Sequence, residues 1–128
     1  TGNLAYTVAL RAALPEDFAI YSGNDDVVVP LLSVGGNGVI SVSANVVPQE
    51  THDMCQAYFD SDTKKAAEFQ VRLFPLIDSL FVETNPIPVK EALNQVGLPG
   101  GTYRLPLYEP TDETKDLLNK NLKELGLV

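Results

Sequence analysis

Apolar residues recur along the chain with two different periods, and the places where the period changes divide it. Leu4, Val8 and Leu10, with alanines between them, follow a helical spacing that breaks at Pro15, so residues 3–14 predict a helix and Pro15-Glu16-Asp17 a turn. Phe18-Ala19-Ile20-Tyr21 is a short apolar run stopped by Ser22-Gly23, which reads as a strand. Asn24-Asp25-Asp26 then offers helix caps for the apolar stretch Val27 to Val34, and Gly35-Gly36-Asn37-Gly38 closes it. Val39-Ile40-Ser41-Val42 predicts a second short strand with a polar stop at Asn45.

Beyond Val46 the period is helical throughout. Pro48 to Phe59 begins with proline at an early helical position, and Asp62 to Val82 carries Ala66, Phe69, Leu73, Leu76, Ile77 and Leu80 at helical spacing, with a kink expected at Pro75. Asn85-Pro86-Ile87-Pro88 is a rigid joint leading into a helix that ends at Gly97, and Gly100 to Pro110 is an extended connection. A last amphipathic helix is expected over about Thr111 to Leu125, with Leu117, Leu118 and Leu122 on one side.

The order from Phe18 to Val42 is β-α-β with short loops, a unit that requires parallel strands and a right-handed crossover. The expected organisation is therefore residues 1–47 as helix, strand, helix, strand, and residues 48–128 as a closing helix with a helical extension. Two parallel strands need further neighbours for their ladder and helices on both faces, so the rest of the sheet is expected outside this chain. The pattern alone allows either the end of a (β/α)8 barrel followed by extra helices or the edge of a doubly wound sheet. Thr1-Gly2-Asn3-Leu4 carries neither a starting methionine nor a basic, apolar leader, and reads as an internal cut.

Composition narrows the partners. The 128 residues are 45% hydrophobic and 20% charged with a net charge of −8, and the pI is about 4.4. Such a surface repels phosphate backbones and anionic head groups, so neither nucleic acid nor a membrane is expected as a partner. No apolar run approaches the ~20 residues of a bilayer span. Cys55 stands alone, which excludes an internal disulfide and a cysteine-rich zinc site and agrees with a cytoplasmic location.

Ser22-Gly23-Asn24-Asp25-Asp26 is the stretch with the most chemical promise, because it follows a strand, where α/β folds place ligand groups. The plainer reading has Gly23 forming the turn while Asp25 or Asp26 caps the helix; a paired-carboxylate or Mg²⁺ site would need further ligands that the chain does not offer. Gly35 to Gly38 follows a helix and precedes a strand, the reverse of a phosphate loop, and is a helix stop. His52, Asp53 and Cys55 share a helix but point in different directions, so a surface or packing role is expected in place of a metal or a Cys-His pair. Lys64-Lys65 and Lys120 to Glu124 read as solvated faces, and Tyr21 and Phe81 by spacing as core. No Ser-His-Asp set, HExxH or P-loop occurs, and no cofactor or metal site is expected.

Taken together, Thr1-Gly2-Asn3, the Ser22 to Asp26 run, GVISVSANV at Gly38 to Val46, FVETNPIPVK at Phe81 to Lys90 and RLPL at Arg104 to Leu107 resemble the dihydrodipicolinate synthases of the class I pyruvate aldolase superfamily. The likeness covers essentially the whole chain. It implies the C-terminal portion of a (β/α)8 TIM barrel, with this chain supplying the helix after strand six, strands seven and eight, and extra C-terminal helices. It further implies a lyase that condenses pyruvate with L-aspartate 4-semialdehyde through a lysine Schiff base, on the route to lysine and diaminopimelate. By that resemblance the lysine lies upstream of Thr1, as do the proton-relay tyrosine, the carboxylate-binding arginine, the threonine pair and the lysine-feedback site.

The resemblance gives this chain no catalytic residue. It gives it a pocket wall, Gly23 and Ile40 at the strand ends with Val42, Phe81 and Asn85 close by, and it puts Leu4 and Val34 near a subunit contact of a homotetramer. Asn24 departs from the pattern, since many members carry an acid there. Lys90, on a helix after the proline joint, is expected to be structural. A Schiff-base aldolase needs an amine of lowered pKa together with an acid-base group, and nothing here offers both, so no activity is expected of this chain without the missing N-terminal half. Two other readings fit the residues: a non-catalytic half-barrel assembly module, and a related 2-keto acid aldolase such as N-acetylneuraminate lyase.

Overall fold

A computed structural model describes residues 2–128; Thr1, where the first motif begins, lies outside the described residues. Helix α1 covers Leu4–Ala13, and the Asn3 side chain accepts from the Tyr6 N–H at 3.0 Å as its N-cap. It ends where Arg11 turns back, its guanidinium donating to the carbonyls of Phe18, Leu14 and Pro15 and so pinning the turn that leads to the first strand.

The strands are shorter than the apolar runs suggest. Strand β1 is Tyr21–Ser22 and β2 is Gly38–Val39, paired parallel with Tyr21 opposite Gly38 and Ser22 opposite Val39. Residues 18–20 fall outside β1 because a side chain replaces the ladder there. Asn37 accepts the Ile20 N–H on its Oδ1 at 2.8 Å, while its own N–H donates to the Ile20 carbonyl at 2.7 Å. At the other end the Ile40 N–H still donates to the Ser22 carbonyl at 2.8 Å, but the chain then coils into a 3-10 turn at Ser43–Asn45, so Ser41 and Val42 do not extend β2.

Between the strands, a 3-10 turn at Asp25–Val27 runs into helix α2, Val28–Ser33. The expected aspartate caps are absent: neither the turn nor α2 has a side-chain cap hydrogen bond, and the first capping position falls to Asn24. After α2 the glycines make the stop. Gly35 takes φ +91°, and a Cβ at Gly36 would lie 2.1 Å from the Leu31 side chain, so the chain can fold back under its own helix only without side chains there.

The remainder is helical: α3 Pro48–Phe59, α4 Thr63–Ser79, α5 Ile87–Gln95 and α6 Asp112–Glu124. Asp62 caps α4 through Lys65 N–H, and Thr111 caps α6 through Thr114 N–H. Pro75 sits inside α4; its carbonyl accepts from Asn121 Nδ2 at 2.8 Å, which ties α6 across it. The main core gathers Val46 and Val47 from the approach to α3, Leu73, Leu76, Ile77 and Leu80 from α4 and its C-cap, Val89 and Ala92 from α5, and Leu118 and Leu122 from α6. Leu117, expected on the buried side of α6, is 38% exposed; Thr114, Leu118, Asn121 and Leu122 form the buried stripe at spacings of three and four. A smaller cluster of Val28, Leu32 and Met54 joins α2 to α3. No helix among the described residues is long and apolar enough to cross a membrane.

Candidate functional site

Both strands run in one direction, so both end on one side of the pair, and that side carries the polar chemistry. Gly23 follows β1 and Ile40 follows β2, side by side across the last ladder bond, Ile40 N–H to Ser22 O. Both are open to solvent: Ile40 is 76% exposed, and nothing lies within 4 Å of where a Gly23 Cβ would be. Beneath them the buried Asp25 carboxylate gathers the chain leaving β2. Its Oδ2 accepts the N–H groups of Val42 at 2.8 Å and Ser43 at 3.3 Å, and its Oδ1 accepts the hydroxyls of Ser43, at 2.8 Å, and Ser41. No cationic side chain lies within ion-pair distance of Asp25 among the described residues, so these hydrogen bonds are what makes its burial tolerable.

The same residue also reaches α4. Gln70 donates from Nε2 to the Asp25 carbonyl at 2.9 Å and accepts the Val29 N–H on Oε1 at 3.1 Å. Further along α4, Phe74, Ile77 and Asp78, with Phe81 just beyond it, line a cleft of about 230 Å³ whose opposite side is Asn24, Asp25 and Asp26.

Of the residues singled out in the sequence, Gly23 and Ile40 therefore adjoin, Val42 is attached to them through Asp25, and Phe81, 47% exposed, faces the Asp25 turn across the cleft. Asn85 is exposed, ahead of a cis peptide to Pro86, and takes no part in this cleft. Leu4, 39% exposed, lies on α1 with exposed Tyr6 and Val8, while Val34 is half-buried at the end of α2.

Ser41, Ser43 and Gln70 are the residues that sequence reading passed over, and Asp25 is the one it read as a helix cap. The available signals were serines alternating through a stretch read as strand, and a glutamine on the apolar stripe of α4 between Ala66 and Leu73.

Other chemically suggestive groups do not assemble. His52 is exposed, and its Nδ1 lies 3.2 Å from Asp53 Oδ1; the His52 contact and then the Gln49 amide hold the Asp53 carboxyl below its usual value. Burial pushes the Cys55 thiol up. No group of three or more His, Cys, Asp or Glu among the described residues could hold a metal ion. Lys90 lies with its Nζ 5.6 Å from the Tyr103 ring centroid, and the Tyr103 hydroxyl is pushed up to about 12 by burial and by neighbouring Glu91. This corner borders a shallow concavity of about 600 Å³ that also takes in Tyr108 and Lys115, and it contains no nucleophile paired with a base.

Parallel strands joined through a helix, with their C-terminal ends bare and polar groups collected below them, define an α/β protein of the kind that binds its ligand at the strand ends. The chain belongs to the Dihydrodipicolinate synthetase family, whose sequence profile matches residues 1–125. It is 48% identical over 128 residues to the 4-hydroxy-tetrahydrodipicolinate synthase of Clostridium tetani, covering 100% of this chain and 44% of that protein. The crystal structure of dihydrodipicolinate synthase from Thermotoga maritima superposes with a TM-score of 0.92 at 42% identity, covering 98% of this chain and 44% of that one. The chloride-inhibited dihydrodipicolinate synthase from Acinetobacter baumannii, complexed with pyruvate, superposes with a TM-score of 0.92 at 35% identity over 100% of this chain and 44% of that one. The chain thus spans less than half the length of the curated relatives it matches.

Proposed function

We propose that this chain is the C-terminal part of a synthase that condenses pyruvate with L-aspartate 4-semialdehyde through a lysine Schiff base, the lysine being carried by sequence outside these 128 residues. The observation that carries the reading is the pair of bare strand ends. A parallel pair with Ile40 76% exposed and Gly23 open is a poor surface for a finished domain and a natural wall for a pocket closed by further strands. The exposed apolar side chains of Tyr21 and Phe18 support a (β/α)8 barrel completed by an N-terminal half. Its curated relatives are named 4-hydroxy-tetrahydrodipicolinate synthases, and the Acinetobacter relative was solved with pyruvate.

In this reading the lysine amine adds to the pyruvate ketone and water leaves, giving an imine. Loss of a methyl proton gives the enamine, whose carbon attacks the aldehyde. Gly23, Ile40 and Val42 form the wall against the ketoacid, with Phe81 and Asn85 beyond it. Leu4 and Val34 lie at a contact between subunits of a tetramer, consistent with the exposed Leu4, Tyr6 and Val8 on α1.

The test joins this chain to the portion of the Clostridium tetani relative that it does not match and follows pyruvate consumption. Turnover is expected with L-aspartate 4-semialdehyde, and pyruvate release from N-acetylneuraminate is not. The reverse preference would reassign the substrate.

A further inference from the structure

We propose that Asp25 is a positioning residue for the ketoacid pocket, holding the two strand ends and α4 in one register; this rests on the function proposed above. The geometry is that of a clamp. One carboxylate takes four donors from Ser41, Val42 and Ser43, the residues that follow Ile40. Asp25 itself stands two positions after Gly23, and its carbonyl is held by Gln70 of α4, four residues before Phe74 at the cleft wall. The buried side chain thus holds Val42 directly and Ile40 through its neighbour Ser41, Gly23 lies two positions before it, and Phe81 lies just past α4, which Gln70 ties to the Asp25 backbone. None of the four is fixed from the pocket side: Gly23, Ile40 and Phe81 are exposed and Val42 is half-buried.

The strand ladder cannot supply this control, because it ends at Ile40 N–H to Ser22 O. Beyond that bond, the only hydrogen bonds between the chain leaving β1 and the chain leaving β2 among the described residues are those to Asp25. A bidentate acceptor with two backbone N–H groups on one oxygen and two hydroxyls on the other also fixes direction as well as distance. Asparagine keeps the size but presents an amide N–H₂ where one oxygen was, so either the two backbone donors or the two hydroxyls lose their acceptor.

The experiment uses the same joined protein and compares D25N and S43A with the parent and with N121A. The last loses the α6 bond to the Pro75 carbonyl, which is none of the Asp25 bonds, and reports on general loosening. Expected for D25N is a rise of about tenfold in KM for pyruvate with a smaller fall in kcat, together with faster amide exchange at Val42 and Ser43. S43A, which leaves three of the four bonds, is expected to raise KM by about threefold, and it stands in if D25N does not fold. N121A should leave KM unchanged. An active parent whose KM is the same in D25N and S43A, or shifts equally in N121A, overturns the clamp and leaves the proposed function standing. A folded parent that neither binds pyruvate nor turns over removes the proposed function and the inference with it; unchanged exchange at Val42 and Ser43 in an active D25N protein overturns the clamp alone.

Discussion

Residues 48–128 and the strand-bearing stretch before them hold together by different means. In the helical part, Leu73, Leu76, Ile77, Leu80, Leu118 and Leu122 are all essentially shielded from water in one continuous core, and the helix ends are capped by Asp62 and Thr111. In the strand-bearing part α2 buries Val28, Leu31 and Leu32, but Phe18, Tyr21 and Ile40 along the strands look outward, and the order of the strands comes from polar devices: Arg11 on the turn, Asn37 on Ile20, Asp25 on the end of β2. The first arrangement stabilises itself by excluding water. The second fixes a backbone whose apolar faces are left for something else to cover, which suits a wall and not a core.

The sharpest way to break this contrast is to cut into each part. Leu118→Ala removes a side chain with no exposed surface at the α4, α5 and α6 junction and should lower unfolding free energy by about 3 kcal/mol, read from the denaturation midpoint at unchanged slope. Ile40→Ser removes an apolar side chain of similar size from the strand end and should change the unfolding free energy by less than about 0.5 kcal/mol. It should instead reduce self-association of the 128-residue chain in sedimentation, since exposed apolar strand ends favour it. Equal destabilisation by the two changes would erase the distinction.

A smaller effect sharpens the picture of the helical part. The Thr114 hydroxyl, then the Thr111 N–H, hold the Glu83 carboxyl below its usual range, linking the segment after α4 to the start of α6. Because the folded value is depressed, this stabilisation is complete above the ordinary glutamate pKa of 4.5 and fades as pH falls through the lower folded value. Glu83→Gln should therefore flatten the acid limb of a stability-against-pH curve, losing a small increment of stability at pH 7 and none below the folded value.

How far the sequence foretold all this differs between the two parts for the same physical reason. The helices from Pro48 onward were legible because an amphipathic stripe facing a core writes its period into the chain: Ala66, Leu73, Leu76, Ile77 and Leu80 are buried where the pattern placed them, although Phe69 is half-buried and α4 stops at Ser79, short of Val82. Leu117 misled only because a leucine next to the stripe looks like one within it. The strands were recognised but their limits were not. Phe18 to Ile20 has strand composition, yet Asn37 takes the Ile20 hydrogen bonds, and no local pattern reveals a side chain seventeen positions away. The role of Asp25 was hidden likewise. An aspartate ahead of a helix has the signature of a cap, and only the approach of Ser41, Val42 and Ser43 from the other strand makes it a clamp. Gly23 and Ile40 were placed by family resemblance, since neither spacing nor composition distinguishes a pocket backbone from an ordinary strand end.

The central claim, that the strand ends form one wall of a ketoacid pocket whose amine lies elsewhere, is tested most directly by trapping. The 128-residue chain and the same chain joined to the unmatched portion of the Clostridium tetani relative are each incubated with pyruvate, reduced with borohydride, and weighed intact before peptide mapping. The account predicts no adduct on the chain alone, and in the joined protein a single pyruvate adduct on a lysine outside these 128 residues. A stable adduct on Lys90 or any other lysine of this chain would contradict it.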